Sequence, residues 1–302
     1  MLQGRHLLSI EDITKDELGA ILALASKLKK LQKSGSPHQL LRGKSLAMIF
    51  QKPSNRTRMS FEVGISHLGG HAVNVRPNEI QMGDREPIAD IARTISRYVD
   101  GVIFRGKHDD LAEFAEFADV PVINGLSDLF HPCQAIADAM TIEEHKGGLK
   151  NLKICYVGDG NNVCNSLIQI CDLLGIEITV ACPAGYEPMC LKGSNHARHI
   201  VEPEIAVRGA DVIYTDVWTS MGQEEETKKR LKDFKSYTVT PALMQQAAKG
   251  AIFMHCLPAH RGEEVEHDVF ESPASVVFDQ AENRLHAQKA ILALLIEGAV
   301  VY

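Results

Sequence analysis

The sequence predicts an α/β protein of two domains, each a mostly parallel sheet with helices on both faces. Short apolar runs alternate along the chain with segments of helical periodicity, a pattern typical of parallel strands joined by helices. The length of 302 residues is enough for two domains. A polar, glycine-rich segment at 146–150 lies between a helical pattern and a new apolar run, so we expect the second domain to start near residue 150.

The individual elements follow in order along the chain. Thr14 and Glu17 form a capping box at the start of the first helix. Apolar runs then predict strands at Ser45–Phe50, Ala72–Val75, Gly101–Phe104, Val120–Ile123, Leu152–Val157, Glu177–Cys182, Asp211–Tyr214 and Ile252–His255. Helical spacing predicts helices at Pro87–Tyr98, Asp109–Ala118, Gln134–His145 and Asn162–Leu174. In open parallel sheets, ligands bind beyond the carboxyl ends of the strands, so functional residues are expected just after each strand.

Composition and charge exclude several classes of protein. A hydrophobic share of 45% and a formal net charge of −7 exclude a disordered chain. The mild acidity argues against a protein that binds nucleic acid, and no apolar run reaches the about 18 residues of a membrane helix. The N-terminus turns acidic too early for a targeting peptide, and the seven cysteines contain no C-x-x-C pair. We therefore expect a cytoplasmic protein.

A dense group of polar side chains follows the first predicted strand. Ser54 can cap the next helix, which places Arg56 and Thr57 in its first turn. Free backbone N–H groups and the helix dipole favour an anion there, and an arginine can donate paired hydrogen bonds to a phosphate. The segment predicts a phosphate site, although a capped helix with solvated arginines would give the same pattern.

Two further groups follow strands in the first half of the chain. Arg105 ends the strand Gly101–Phe104, and His131 and Gln134 follow the next strand, within one helical turn of each other. A histidine and an amide together could hold a carbonyl oxygen and an amino group. Taken alone, His131 fits equally well as a residue that caps or packs at a helix start.

The second half contains three candidate segments. The loop Gly158–Val163 is close to a dinucleotide-binding G-x-G-x-x-G motif, but Val163 replaces the third glycine and no acidic residue ends the next strand. A nicotinamide-dependent dehydrogenase is therefore poorly supported. Asp216 begins a segment with the only tryptophan, Trp218, which fits a mobile closing loop or an ordinary loop whose tryptophan packs in the core. Cys256 directly follows a predicted strand and precedes a proline turn.

Five motifs, in this order, resemble the ornithine carbamoyltransferase family over essentially the whole chain. They are S-N-R-T-R, H-P-C-Q, G-D-G-N-N, D-V-W-T-S-M-G and H-C-L-P. The first two are shared with the wider aspartate/ornithine carbamoyltransferase superfamily and imply carbamoyl phosphate, whereas D-x-x-x-S-M-G and H-C-L-P imply ornithine. Asn55 departs from the threonine that the family usually has there.

The resemblance implies transfer of a carbamoyl group from carbamoyl phosphate to the side-chain amine of ornithine, which gives citrulline and phosphate in arginine biosynthesis. Residues 1–148 would bind carbamoyl phosphate and 149–285 ornithine, with the active site in the cleft between them. A C-terminal helix over about 286–302 would pack back on the first domain. The family implies no metal or organic cofactor, no nucleic-acid or membrane partner, and a homotrimer or an assembly of trimers.

The resemblance also implies roles for single residues. Carbamoyl phosphate would be bound by Ser54, Asn55, Arg56, Thr57, Arg105, His131, Pro132, Cys133, Gln134, Cys256, Leu257 and Arg284, and by Gln81 of a neighbouring subunit. Ornithine would be bound by Asn162, Asp216, Ser220 and Met221. Arg105, His131 and Cys256 would be catalytic. A carboxylate beside the attacking amine would favour its ammonium form, so we expect Asp216 to pair with the α-ammonium instead.

Two alternatives stay open. The acceptor could be aspartate, putrescine or N-acetylornithine, which we rank lower because an acceptor whose α-ammonium is missing or blocked has little use for Asp216. The chain could also be a metabolite sensor that binds without turnover, since binding residues do not prove catalysis.

Overall fold

The computed structural model describes residues 2–80, 82, 85–219 and 224–298. The chain divides into two compact units. The first comprises Met1–Ala137 together with Asn283–Tyr302, and the second comprises Asp138–Glu282. Among the residues that the structure describes, no helix is long and apolar enough to span a membrane.

The first unit is built on a four-stranded parallel sheet in the order β2-β1-β3-β4. The strands are β1 (Ser45–Phe50), β2 (His71–Val75), β3 (Gly101–Gly106) and β4 (Val122–Ser127). Its helices are α1 (Lys15–Lys33), α2 (Asn55–His67), α3 (Pro77–Ile80), α4 (Ile88–Ile95), α5 (His108–Phe117) and the start of α6 (Pro132–Lys146). The predicted capping box is confirmed, because Thr14 accepts from the Glu17 N–H at the start of α1.

The second unit contains a five-stranded parallel sheet in the order β7-β6-β5-β8-β9. Its strands are β5 (Lys153–Val157), β6 (Glu177–Ala181), β7 (Ala197–Ile200), β8 (Val212–Thr215) and β9 (Ile252–His255). Its helices are α7 (Asn162–Leu174), α8 (Pro203–Ala206), α9 (Thr227–Asp233), α10 (Pro241–Met244), α11 (His267–Phe270) and the start of α12 (Val277–Glu297). The prediction of parallel sheets with helices is confirmed.

Burial separates β1, which the sequence predicted, from β7, which it did not. Four of the six residues of β1 are almost wholly inaccessible, and the strand was predicted at its observed bounds. Strand β7 lies at a sheet edge, is only partly buried and carries Arg198 and His199. It therefore lacks the apolar run on which the prediction of strands relied. Trp218 is 3% exposed and stacks on Phe234 with ring centroids 5.8 Å apart. It therefore packs in the core, which confirms the second of the two interpretations, an ordinary loop with a core tryptophan.

Candidate active site

The register of the first sheet brings the two arginine-bearing segments together. Phe50, the last residue of β1, pairs with Arg105 of β3, and α2 begins soon after β1 at Asn55. Ser54 is the N-cap residue with extended backbone, but its hydroxyl makes no capping hydrogen bond. The predicted N-cap position of Ser54 is therefore confirmed, although its hydroxyl supplies no capping hydrogen bond. The first turn of α2 keeps N–H groups that its own serine does not satisfy, which suits an incoming anion.

Arg105 is held charged in a costly environment. It is 5% exposed, and its Nη1 donates to Thr57 Oγ1 at 3.3 Å. Burial, followed by the charges of Arg284 and Arg56, lowers the pKa of Arg105 to about 10. Its Nε has no hydrogen-bond partner among the described residues. Arg105 and Arg284 are buried and Arg56 is exposed near them. Two buried guanidinium groups with this shift are poised to receive a negative ligand.

The start of α6 contributes a neutral histidine beside this cluster. His131 is 4% exposed, and burial together with Arg284 and Arg105 lowers its pKa well below the ordinary value. Arg284 Nη1 donates to Gln134 Oε1 at 2.6 Å and lies 3.4 Å from His131 Nε2. His131, Gln134, Arg284 and Arg105 therefore form one buried group in the first unit. His131 acts there as an uncharged hydrogen-bonding group, not as an imidazolium.

Two neighbouring residues of the predicted set have different surroundings. Pro132 is the first residue of α6. Cys133 is fully buried, and its thiol donates to the Asn124 carbonyl at 3.4 Å. Burial raises the pKa of Cys133 to about 12, so this thiol stays protonated and packs in the core.

The second sheet places Asp216 and Cys256 side by side. Thr215 of β8 pairs with His255 of β9, so the residues that follow the two strands are neighbours at one sheet edge. The Cys256 thiol donates to Asp216 Oδ1 at 3.1 Å. Asp216 is 5% exposed, and its Oδ1 also accepts from the Val217 N–H at 2.8 Å.

Asn161 is a residue of this site that the sequence analysis missed. Its side-chain oxygen caps α7 by accepting from the N–H groups of Val163 and Cys164. Its Nδ2 donates to Asp216 Oδ2 at 2.7 Å. The predicted residue, Asn162, has its Oδ1 3.0 Å from the Val163 N–H. The N-cap position of Asn161 before an apolar helix was the available signal, but it gave no indication of the bond to Asp216.

A buried ion pair lies beside these residues and was also missed. Arg230 Nη1 pairs with Asp159 at 3.0 Å and donates to the Trp218 carbonyl at 2.9 Å. Both side chains of the pair are less than a tenth exposed. Burial raises the pKa of Asp159 to about 6, against the opposing charge of Arg230. The pair thus ties the G-D-G-N-N loop to the segment that follows Asp216.

The remaining predicted residues divide into two groups. Leu257 is next to Cys256 and has a φ of 62°, and Asn55 is the first residue of α2. Gln81, Ser220 and Met221 lie outside the described residues.

Two clusters in the described part of the chain have the spacing of metal ligands. Asp216, His255 and Cys256 offer atoms within 4.8 Å of one another, as do His260, Glu263 and Glu264. Both ring nitrogens of His255 are already used, however. One lies 3.0 Å from Glu264 Oε1 and the other accepts from the Leu257 N–H at 2.9 Å. The first cluster therefore does not suit a metal that needs His255.

Comparison with known proteins agrees with this geometry. Residues 5–144 match the family model of the carbamoyl-P binding domain of aspartate/ornithine carbamoyltransferase, and residues 150–295 match the Asp/Orn binding domain of the same family. The ornithine carbamoyltransferase of Pyrococcus horikoshii is 54% identical and covers 98% of this chain and 97% of its own. The anabolic ornithine carbamoyltransferase of Pyrococcus furiosus is also 54% identical, with 98% of both chains covered.

Solved structures give the same result. The ornithine carbamoyltransferase from Pyrococcus furiosus has a TM-score of 0.94 and 52% identity to this chain, and 99% of each chain is covered. One from Thermus thermophilus has a TM-score of 0.88 at 43% identity, with 97% of this chain and 99% of that chain covered. Both halves of the chain match the family models, and its length and fold match those of the relatives. The chain belongs to the aspartate/ornithine carbamoyltransferase family.

Proposed function

We propose that the protein transfers the carbamoyl group of carbamoyl phosphate to the side-chain amine of L-ornithine, giving L-citrulline and phosphate. The observation that carries the proposal is the buried cluster of Arg105 and Arg284 beside the neutral His131. Such a cluster is costly without an anion and suits a small doubly charged phosphate compound. The relatives of the chain are named ornithine carbamoyltransferases, one of them anabolic, which supports ornithine as acceptor and a role in arginine biosynthesis.

Carbamoyl phosphate would bind in the domain of residues 1–148. The N–H groups and side chains from Ser54 to Thr57 would surround the phosphate. Arg105, His131 and Gln134 would hold the carbamoyl end, with Arg284 binding beside them. The C-terminal helix, expected over about 286–302, is part of α12, which starts earlier, at Val277. Its residues from about 286 onward would belong to this domain, as the contacts of Arg284 with His131 and Gln134 support.

The reaction needs an unprotonated amine. An alkyl amine has a pKa of about 10.4, so near neutral pH about one molecule in a thousand is neutral, a cost of about 4 kcal/mol. Arginine charges such as Arg105 lower this cost because they disfavour a neighbouring ammonium. The neutral amine attacks the carbonyl carbon and forms the C–N bond, and the carbonyl oxygen becomes an oxyanion. Collapse of the oxyanion breaks the bond between this carbon and the phosphate oxygen, and the proton lost by the attacking nitrogen leaves with the phosphate.

The developing oxyanion needs hydrogen-bond donors. Arg105, His131 and the hydroxyl of Thr57 are the candidates, because all three are buried and lie in the same cluster. Donors fixed in a site that excludes water bind the transition state more strongly than the ground state. Arg105 and His131 would therefore be catalytic.

Ornithine would bind in the domain of residues 149–285. Asp216 would pair with the α-ammonium, and Asn162, Ser220 and Met221 would complete the amino-acid end. Cys256 and Leu257 would line the reacting centre. The bond from Asn161 to Asp216 supports this placement, because it holds the carboxylate in a fixed direction.

The oligomeric state and the cellular compartment of the protein are proposed from its family membership. A homotrimer would let Gln81 reach the site of a neighbouring subunit. The chain would work in the cytoplasm, which is supported by its seven cysteines, all described by the structure and none in a disulfide.

A colorimetric citrulline assay tests the proposal. Purified protein is incubated with carbamoyl phosphate and, in turn, ornithine, aspartate, putrescine and N-acetylornithine. A carbamoylated product with ornithine alone is expected. A product with another amine alone would contradict the assigned acceptor. Binding of carbamoyl phosphate without a product from any amine would favour a metabolite sensor.

A further inference from the structure

Cys256 lies in a main-chain segment that is anchored on both sides. Before it, the His255 N–H donates to Gln280 Oε1 at 2.9 Å. After it, the Leu257 N–H donates to His255 Nδ1 at 2.9 Å. Leu257 has a φ of 62°, a backbone conformation that is unfavourable for leucine and persists only where surrounding contacts impose it. The direction of the Cys256 thiol therefore depends on both anchors.

Gln280 is itself held by two buried groups. Its Nε2 donates to Asp138 Oδ1 at 2.7 Å and to the Tyr214 hydroxyl at 3.0 Å, and that hydroxyl donates to Asp138 Oδ2 at 3.1 Å. All three side chains are at most 1% exposed. Because the His255 N–H can only donate, the oxygen of the Gln280 amide must face it and the nitrogen must face Asp138. The chemistry of the neighbours thus fixes the orientation of the amide.

Packing alone does not require a glutamine at this position. The chain just before α12 already pairs with β9, since Phe253 donates to the Ala274 carbonyl at 2.8 Å and accepts from the Val276 N–H at 3.0 Å. An apolar side chain at position 280 could continue this packing. It would leave the buried N–H of His255 and the carboxylate of Asp138 without the partners that Gln280 supplies, which is unfavourable.

We propose that Gln280, oriented by Asp138 and Tyr214, is a positioning residue for the transfer reaction. It fixes the main chain at His255 and so holds the Cys256 thiol against Asp216. This inference rests on the proposed function, because it assigns Gln280 a part in the same reaction. Gln280 acts through the His255 main chain and is not itself a catalytic residue.

Three variants test the proposal through citrulline formation. Gln280→Leu removes the whole interaction and is expected to lower kcat/KM for ornithine about tenfold, as for loss of one buried hydrogen bond. Gln280→Glu keeps an acceptor for His255 but sets a carboxylate against Asp138, and we expect a similar loss. The double variant Asp138→Asn with Gln280→Glu exchanges the amide and the carboxylate. The amide at position 138 can then donate to the carboxylate at position 280, so the double variant is expected to recover most of the activity.

The control is Asp279→Asn, which changes the adjacent residue of α12. Asp279 is 53% exposed and pairs with His145 at 2.9 Å, so this variant removes a carboxylate without reaching His255. Its citrulline formation is expected to match that of the unaltered protein. Unfolding temperatures of all variants identify any that fold poorly. Carbamoyl phosphate affinity is measured separately, because Gln134 and Arg284 lie one turn away from Asp138 and Gln280 on the same helices.

A second readout does not depend on the transfer activity. The rate at which iodoacetamide alkylates Cys256, followed by mass spectrometry of its peptide, reports whether the thiol keeps its bond to Asp216. We expect faster alkylation in Gln280→Leu and a rate near normal in the double variant. If the unaltered protein forms no citrulline, the proposed function fails, whereas the alkylation rates still test the positioning. Unchanged alkylation in Gln280→Leu, or a folded double variant no better than Gln280→Glu, would overturn the inference.

Discussion

Replacing Arg105 by methionine is expected to make the ligand-free protein more stable. Burial and the charges of Arg284 and Arg56 lower the pKa of Arg105 to about 10. Compared with an ordinary arginine value of about 12.5, and at about 1.36 kcal/mol per pH unit, keeping this group charged costs about 3 kcal/mol. Arg105→Met removes that cost and also removes the hydrogen bond to Thr57, which is worth about 1 kcal/mol. The net expectation is a gain of about 2 kcal/mol.

Thermal and urea unfolding in a buffer free of phosphate measure this difference in stability. The same experiments with added phosphate measure how much phosphate binding stabilises each protein. A ligand that binds only the folded state raises its stability by RT ln(1 + [L]/Kd). We expect phosphate to stabilise the unaltered protein more than Arg105→Met, because the variant lacks the buried cation that adjoins Thr57 at the phosphate site. The matched control is Arg58→Met, since the Arg58 side chain is 48% exposed on the same helix as Thr57. Its stability should change by less than about 0.5 kcal/mol. An Arg105→Met protein that is less stable without ligand, yet equally stabilised by phosphate, would refute the reasoning.

Three further predictions concern a buried ion pair, a buried histidine and a closely packed loop. Arg230→Met leaves the Asp159 carboxyl without its cation and should lower the free energy of unfolding by about 3–5 kcal/mol. Because burial already raises the pKa of Asp159 to about 6, this loss of stability should be largest above that pH and should shrink below it. Unfolding measured at pH 5 and pH 8 tests this. His131→Ala should lower kcat about 100- to 1000-fold. Because the pKa of His131 is lowered in the folded state, the unfolded protein takes up a proton at this residue below about pH 6.5 and the folded protein does not, which lowers stability there. The substitution removes the histidine and should reduce that loss of stability. Gly160→Ala would place a Cβ 2.3 Å from Pro188 N, so its unfolding temperature should fall clearly; an unchanged value would show that this loop can move aside.

Three elements predicted at their observed bounds, β1, β9 and α7, are buried along most of their length. Helix α7 was predicted at its observed bounds from helical spacing, and in the structure Asn161 and Gly175 cap its two ends. Strand β4 was placed at Val120–Ile123, but it spans Val122–Ser127. The reason is that Asn124 and Ser127 are polar and nevertheless fully buried, so the apolar run ends before the strand does. Apolar pattern alone does not reveal a buried strand whose side chains are hydrogen-bonded.

The candidate site was predictable where the chemistry follows a strand. The rule that ligands bind beyond the carboxyl ends of parallel strands led to Arg105, Asp216 and Cys256, and the structure brings the last two into contact. The same rule could not find Arg230 or Gln280. Each lies inside a helix, where a polar residue in sequence is indistinguishable from part of a solvated face. Only the fold shows that these two side chains are buried and which distant residues they bind.

The proton on Cys256 decides which part this residue can take in the reaction. Its thiol donates to Asp216 at 3.1 Å, and a thiolate at that distance would face a carboxylate of the same charge. The thiol therefore serves as a donor that helps to fix Asp216, while the amine must lose its proton elsewhere. Cys256→Ser keeps a donor and should retain most of kcat, whereas Cys256→Ala removes it and should raise KM for ornithine by about tenfold, as for one lost hydrogen bond to a charged group. Steady-state citrulline kinetics across pH measure both variants, and a serine variant as inactive as one lacking Arg105 would instead require the sulfur to react chemically.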